Sequence, residues 1–134
     1  MAVPEATRVL LVDIAVDRRD VVHRLVESPA VGALVVGDAT DAVSAVAAVG
    51  TLAPEVVMLE IQLPVEAGLD ALAALRRAFP RLPVVVCSFR GDTDTTARAT
   101  AAGASSYLKK PVGTTRVREA FAHAASVANA RTQE

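Results

Sequence analysis

Four short apolar runs mark out the chain: Val9–Val12, Ala33–Val36, Val56–Leu59 and Val84–Cys87. Each is four residues long and rich in Val, and each stops abruptly at polar or turn residues: Asp13, Gly37-Asp38, Glu60 and Ser88. Runs too short for helices and without polar alternation fit strands buried on both faces of a sheet. A fifth short strand is predicted at Ser105–Lys109. Between the runs the apolar spacing changes to three and four. Val21, Val22, Leu25 and Val26 predict a first helix, and Val43, Val46 and Val49 a second. Leu69, Leu72, Leu75 and Phe79 predict a third, and Val117, Phe121, Ala124, Ala125 and Ala128 the last. Asp92–Thr96 opens a fourth helix, weakened by its threonines, which lose rotamer freedom there.

Punctuation fits these elements. Asp17, and Thr40 or Asp41, are cap candidates. Ser28-Pro29, Gly50, Pro80 and Gly103 are predicted helix ends. Pro64 and Gly68 read as a loop, so the third helix is expected to begin at Leu69. Residues 1–7 read as a loose arm, and residues after Asn129 as frayed. Strands and helices alternate about five times, which predicts an α/β fold with a doubly wound parallel sheet and right-handed crossovers.

Composition narrows the class. At 134 residues a single domain, 1–134, is expected. An apolar fraction of 52% excludes disorder, and 3% aromatics imply a core of Val, Leu and Ala. A net charge of −1 without a Lys/Arg block argues against direct DNA binding. Cys87 alone cannot form an internal disulfide. The N-terminus lacks signal-peptide character and no apolar run reaches membrane-spanning length, so a soluble cytoplasmic protein is expected. His23 and His123 read as surface groups without a metal partner, and Asp38 and Asp41 as turn and cap residues.

Four groups of chemical interest fall at carboxyl ends of predicted strands: Asp13, Glu60, Ser88 and Lys110. Open α/β sheets place ligands and chemistry at that edge. With Leu11-Val12-Asp13, Glu60–Pro64 with Gly68, Ser88, Ala102-Gly103-Ala104 and Tyr107–Pro111, the chain resembles the receiver domains of bacterial response regulators over about residues 8–128. The resemblance implies a flavodoxin-like, five-stranded parallel sheet in order 2-1-3-4-5 with five helices. It also implies phosphoryl transfer from a histidine kinase to an acidic acceptor, aided by Mg²⁺. Glu60 then occupies the acceptor position, and Asp13 and Ile14 the acidic pair that holds the metal. Ser88 and Lys110 would contact the phosphoryl oxygens, Tyr107 is the switching aromatic, and Lys110–Pro111 is expected to be a cis peptide.

The departures change the expected chemistry. Glu60 replaces the Asp nucleophile, Ile14 replaces an acid, and Phe89 stands where a small residue is usual and is expected to roof the pocket. Ile14 gives Mg²⁺ no side-chain oxygen, so binding is expected to be weak or absent, with no other cofactor. Glu60 is expected to pair with Lys110 and accept from Ser88, either as a permanent imitation of the modified state or as a relic. The resulting expectation is an atypical, stand-alone, non-enzymatic receiver that signals through protein–protein contact. The alternative is a phosphorylation-competent receiver of a phosphorelay. A flavin-type binder is disfavoured, because Asp13–Asp17 lacks the Gly or hydroxyl residues of a phosphate cradle. Expected partners are a histidine kinase or an effector protein, and a homodimer through the face of the fourth helix, fifth strand and fifth helix. Arg98, Lys109, Arg116 and Arg118 would supply rim contacts there.

Overall fold

The computed structural model describes residues 6–13, 19–62 and 64–133. Ten elements alternate along the chain: β1 (Thr7–Asp13), α1 (Arg19–Val26), β2 (Ala33–Ala39), α2 (Ala42–Leu52), β3 (Val56–Glu60), α3 (Val65–Ala78), β4 (Val84–Ser88), α4 (Thr93–Ala101), β5 (Ser106–Lys109) and α5 (Thr114–Gln133). The five strands form one parallel sheet in the order β2-β1-β3-β4-β5. This is the doubly wound, flavodoxin-like arrangement. Side chains alternate across a strand, so each apolar run feeds two cores at once. Leu10, Val12 and Leu59 pack with Leu72 and Leu75 of α3 and with α2 and Ala99 of α4. Val9, Leu11 and Met58 pack on the other face with Val22 and Val26 of α1 and Val117 and Phe121 of α5. That double demand is why the runs contain no polar position. No helix among the described residues is long and apolar enough to cross a membrane.

Several boundaries differ from the sequence expectation, each for a local reason. β2 does not stop at Gly37-Asp38 but runs through them to Ala39. Its register against β1 slips between Val9 and Leu10, so that Leu10 faces Gly37 and Val36 is the extra residue of a bulge. A Cβ on Gly37 would lie 2.5 Å from Leu52 Cδ1, so this glycine serves close approach of α2 and not a turn. Of the two cap candidates for α2, Asp41 is used. It accepts from the Ser44 N–H at 2.7 Å, while the Ser44 hydroxyl receives the Asp41 N–H. α2 continues past Gly50 to Leu52, and Ala53 at φ 48° ends it ahead of Pro54.

α3 begins at Val65, not Leu69, with Pro64 in the capping position. Gly68 lies in the first turn, where a Cβ would come within 2.8 Å of Ile61 Cγ1, so its bare backbone seats the helix against the exit of β3. On α5, Ala120 is buried and Ala125 is exposed, and the helix continues past Asn129 to Gln133. Asp17, a predicted cap, lies outside the described residues.

Two arginines stitch the helix ends to the sheet. Arg8 of β1 donates to Ala53 O and Leu52 O, both at 2.6 Å, satisfying carbonyls that the C-terminus of α2 leaves open. Arg76 of α3 donates to Pro80 O at 3.0 Å, Leu82 O at 2.7 Å and Gly103 O at 2.7 Å. It thereby joins the end of α3, the approach to β4 and the turn before β5.

Candidate functional site

The parallel register carries strand-end residues to one edge of the sheet. Asp13 lies opposite Glu60, and Glu60 opposite Cys87. Ser88 lies opposite Lys109, one residue before Lys110. Asp13 and Glu60 are each only 4% exposed. Two carboxylates so far from water need counter-charge or hydrogen bonds close by. For Glu60 both are present. The Lys110 ammonium is in direct contact with Oε1, and Gln62 Nε2 donates to Oε2 at 2.6 Å. Both carboxylate oxygens of Glu60 are therefore engaged.

Lys110 is placed from behind by its own backbone, whose N–H donates to Ser88 O at 2.7 Å, and the Lys110–Pro111 peptide is cis. Its ammonium lies 5.2 Å from the centre of the Phe89 ring, within cation–π range. Phe89 is half exposed and, with Val21, Leu25 and Val112, lines a groove of about 170 Å³ over Lys110. It thus roofs the ammonium. The space between Asp13 and Glu60 is walled instead by Val22, Met58 and Cys87 and measures about 10 Å³.

Ser88 departs from expectation. Its hydroxyl does not reach Glu60 but donates to Ile61 O at 2.5 Å and accepts the Arg90 N–H at 3.0 Å. Ile61 is wholly buried, and its carbonyl just past the strand end offers a nearer acceptor than a carboxylate already held by Lys110 and Gln62. Tyr107 is half-buried and donates its hydroxyl to Arg90 O. Arg90 thus connects the two expected switch positions through its main chain, and its side chain pairs with Asp92 at 3.2 Å, ahead of α4. Ile14 lies outside the described residues. His23 pairs with Glu27 at 3.3 Å on α1, and His123 is exposed on α5, both away from this edge.

Sequence reasoning assigned no role to Gln62. The available signal was its spacing: two residues beyond Glu60 on an extended chain, side chains return to the same side. The role of Arg90 acts through backbone atoms, which residue type does not disclose.

A doubly wound sheet with two carboxylates, a hydroxyl and an ammonium converging at the carboxyl edge defines a receiver-type signalling fold. Residues 9–122 match the response regulator receiver domain family. The chemotaxis protein CheY of Thermotoga maritima is 33% identical over 114 residues, spanning 85% of this chain and 93% of that protein. A protein-glutamate methylesterase/protein-glutamine glutaminase of Dechloromonas aromatica is 38% identical over 109 residues, 81% of this chain but only 31% of the enzyme. Among solved structures, NtrX from Brucella abortus in complex with ATP superimposes with a TM-score of 0.80 at 31% identity, covering 96% of this chain and 28% of that one. A two-component response regulator of the LuxR family from Aurantimonas gives a TM-score of 0.78 at 26% identity, covering 92% of this chain and 86% of that one. The chain belongs to the response regulator receiver domain family, the receiver module of two-component signal transduction.

The site is also sealed on the Cys87 side. Burial pushes the Cys87 thiol up from its ordinary 9.0 to about 12. A group with a raised folded pKa adds stability that is complete below the unfolded value and fades as pH climbs towards the folded one. The cysteine contribution is thus expected to be intact below about pH 9 and lost between about 9 and 12. At pH 8 the native thiol should react with a disulfide reagent only as fast as the protein opens. Complete labelling within the mixing time, at the rate of the urea-unfolded chain, would show that the pocket is not closed.

Proposed function

We propose that this receiver acts as a phosphorylation-independent protein-interaction module, in which Glu60 supplies a fixed negative charge at the acceptor position. The observation that carries this reading is the contact between Glu60 and Lys110, completed by Gln62. A nucleophilic carboxylate needs an oxygen free to approach phosphorus in line. Here one oxygen faces the ammonium, the other accepts from an amide, and the residue is 4% exposed. The ammonium expected to neutralise an incoming phosphoryl group already has an anion. The extra methylene of Glu relative to Asp shifts the carboxylate by about a bond length, a displacement of the scale that costs roughly a hundredfold where geometry carries the chemistry.

Mg²⁺ fits this donor set poorly. It requires near-octahedral oxygen ligands at close range and keeps several waters. The void beside Asp13 and Glu60, about 10 Å³ between apolar walls, holds about one water at most. Ser88 has committed its hydroxyl to Ile61, and position 14 is an isoleucine. Phosphorylation-competent action remains the second reading, supported by the presence of Asp13, Ser88 and Lys110 at one edge.

The output surface in this reading is the face of α4, β5 and α5. The Thr96 and Thr100 hydroxyls donate to carbonyls four residues back, Asp92 O at 3.0 Å and Thr96 O at 2.9 Å. Such back-bonding slightly destabilises a helix and leaves α4 adjustable. Lys109, Arg116 and Arg118 are exposed and basic, which suits a partner with an acidic patch. Arg98 is drawn towards α3 instead, 3.4 Å from Glu66, and also lies 3.8 Å from Asp94. Receiver domains work with kinases and effectors, and an effector is the partner this reading favours.

Incubation with acetyl phosphate and Mg²⁺ is expected to leave the intact mass unchanged. A stoichiometric gain of one phosphoryl group, lost on Glu60→Gln, would return the protein to the phosphorylation-competent class. Glu60→Gln is expected to shift the amide signals of Arg90 and Tyr107 while circular dichroism stays native. Identical spectra around both residues would leave Glu60 as a relic that merely satisfies Lys110.

A further inference from the structure

The exposed large apolar side chains among the residues whose exposure is described are Val21, Leu34, Val43 and Phe89, so none lies on α4, β5 or α5 up to residue 126. Val21 and Phe89 belong to the groove over Lys110. Val43, 81% exposed, lies on α2, which has no charged residue from Ala42 to Leu52. A surface helix ordinarily turns charged residues outward, and an apolar outer face is usual for a covered helix. Val43, Ala47 and Gly50 are all exposed and recur at helical spacing, so they form one outer face. Gly50 lies in the last turn of α2, where glycine still weakens a helix relative to alanine. Yet a side chain at Gly50 would meet nothing within 4 Å, so packing inside the chain does not require its absence.

The face continues into an open groove. Past Gly50, the ends of α2 and α3 border a largely apolar groove of about 640 Å³, lined by Ala53, Phe79 and Leu82 with Glu55 and Arg81 as its charged residues. Charge is divided between the two ends. Asp41 caps the start of α2, while Arg81 and Glu55 line the groove at its finish and Arg8 is bonded to the Leu52 and Ala53 carbonyls there, leaving that end net positive, with nothing charged along the helix between.

We propose that α2 and this groove form a two-fold interface with a second copy of the chain, the two α2 helices packing antiparallel across Ala47. That register sets Val43 of one copy against the open position left by Gly50 of the other. It brings the Asp41 end of each α2 to the Arg81 end of its mate, twice by symmetry. An isologous contact must be complementary to itself. An uncharged helix with opposite charges at its ends meets that condition only when antiparallel, and the helix dipoles then oppose favourably. A lipid surface is disfavoured, because α2 offers no Lys or Arg to anionic headgroups. The proposal uses neither Glu60 nor Lys110 and stands whether or not Glu60 is phosphorylated.

Sedimentation equilibrium from about 1 μM to about 1 mM tests it. The expected result is a rise from one 13.9 kDa chain to two, as a weak concentration-dependent dimer. Val43→Arg, at an exposed position that folding does not need, is expected to weaken dimerisation at least about tenfold with unchanged circular dichroism. Asp41→Asn keeps a capping side chain. It and Arg81→Gln are each expected to loosen the dimer about three- to tenfold, and together little more than either alone. A monomer at every concentration overturns the proposal, even if another protein is later found on α2. So does a dimer that Val43→Arg leaves intact and Arg116→Glu on α5 breaks.

Discussion

The contact between Glu60 and Lys110 is the constraint on which the functional edge depends. It joins the end of β3 to the residue after β5, across β4. Charges this deeply buried are costly to strip of water, so the pair contributes little net stability while intact. Removing either partner is another matter, because it strands the other charge in an apolar setting. The neighbouring contacts follow from that asymmetry. Gln62 takes up the second oxygen of Glu60, the carbonyl of Ser88 holds the backbone of Lys110, and Phe89 shields the ammonium. β5 is only four residues long and closes the sheet, so a clamp at its end helps decide where the following loop and α5 begin.

Seen this way, the negative charge at the acceptor position belongs to the chain itself. The Lys110 ammonium is already neutralised, the Ser88 hydroxyl is turned to Ile61, and Tyr107 is bonded to the loop that Ser88 also touches through Arg90. Ser88, Arg90 and Tyr107 form a continuous hydrogen-bonded line from the edge of the site to the start of α4. α4 is the element with the weakest intrinsic helix preference, so its position is the one most open to bias by the charge state of the edge. In the proposed reading, signalling consists of presenting a surface set by this fixed charge to a partner.

Most of the fold was legible because burial on both faces leaves a strong mark: four uninterrupted apolar runs, each ending in a polar residue. The strand-end rule then located Asp13, Glu60, Ser88 and Lys110 before any contact was known. Glycines were read less well. Gly37, Gly50 and Gly68 all looked like punctuation, yet Gly37 and Gly68 permit close approach by Leu52 and Ile61, partners distant in sequence or on another element. Gly50 interrupts nothing. Arg8 and Arg76 carry no local signature because their acceptors are main-chain carbonyls as far as 45 and 27 residues away. The misdirected hydroxyl of Ser88 has the same origin. Residue type shows that a donor is present, and only the folded backbone decides which acceptor is nearest.

A double-mutant cycle on the ion pair tests the account at its centre. Urea unfolding of wild type, Glu60→Gln, Lys110→Met and the double variant yields the coupling directly. Each single change is expected to cost about 3–5 kcal/mol, because it leaves a buried charge without its partner. The double variant should cost less than the sum of the two by about 2 kcal/mol or more. Costs that add to within about 0.5 kcal/mol would mean that Glu60 and Lys110 do not sense each other, and the fixed-charge account would not survive.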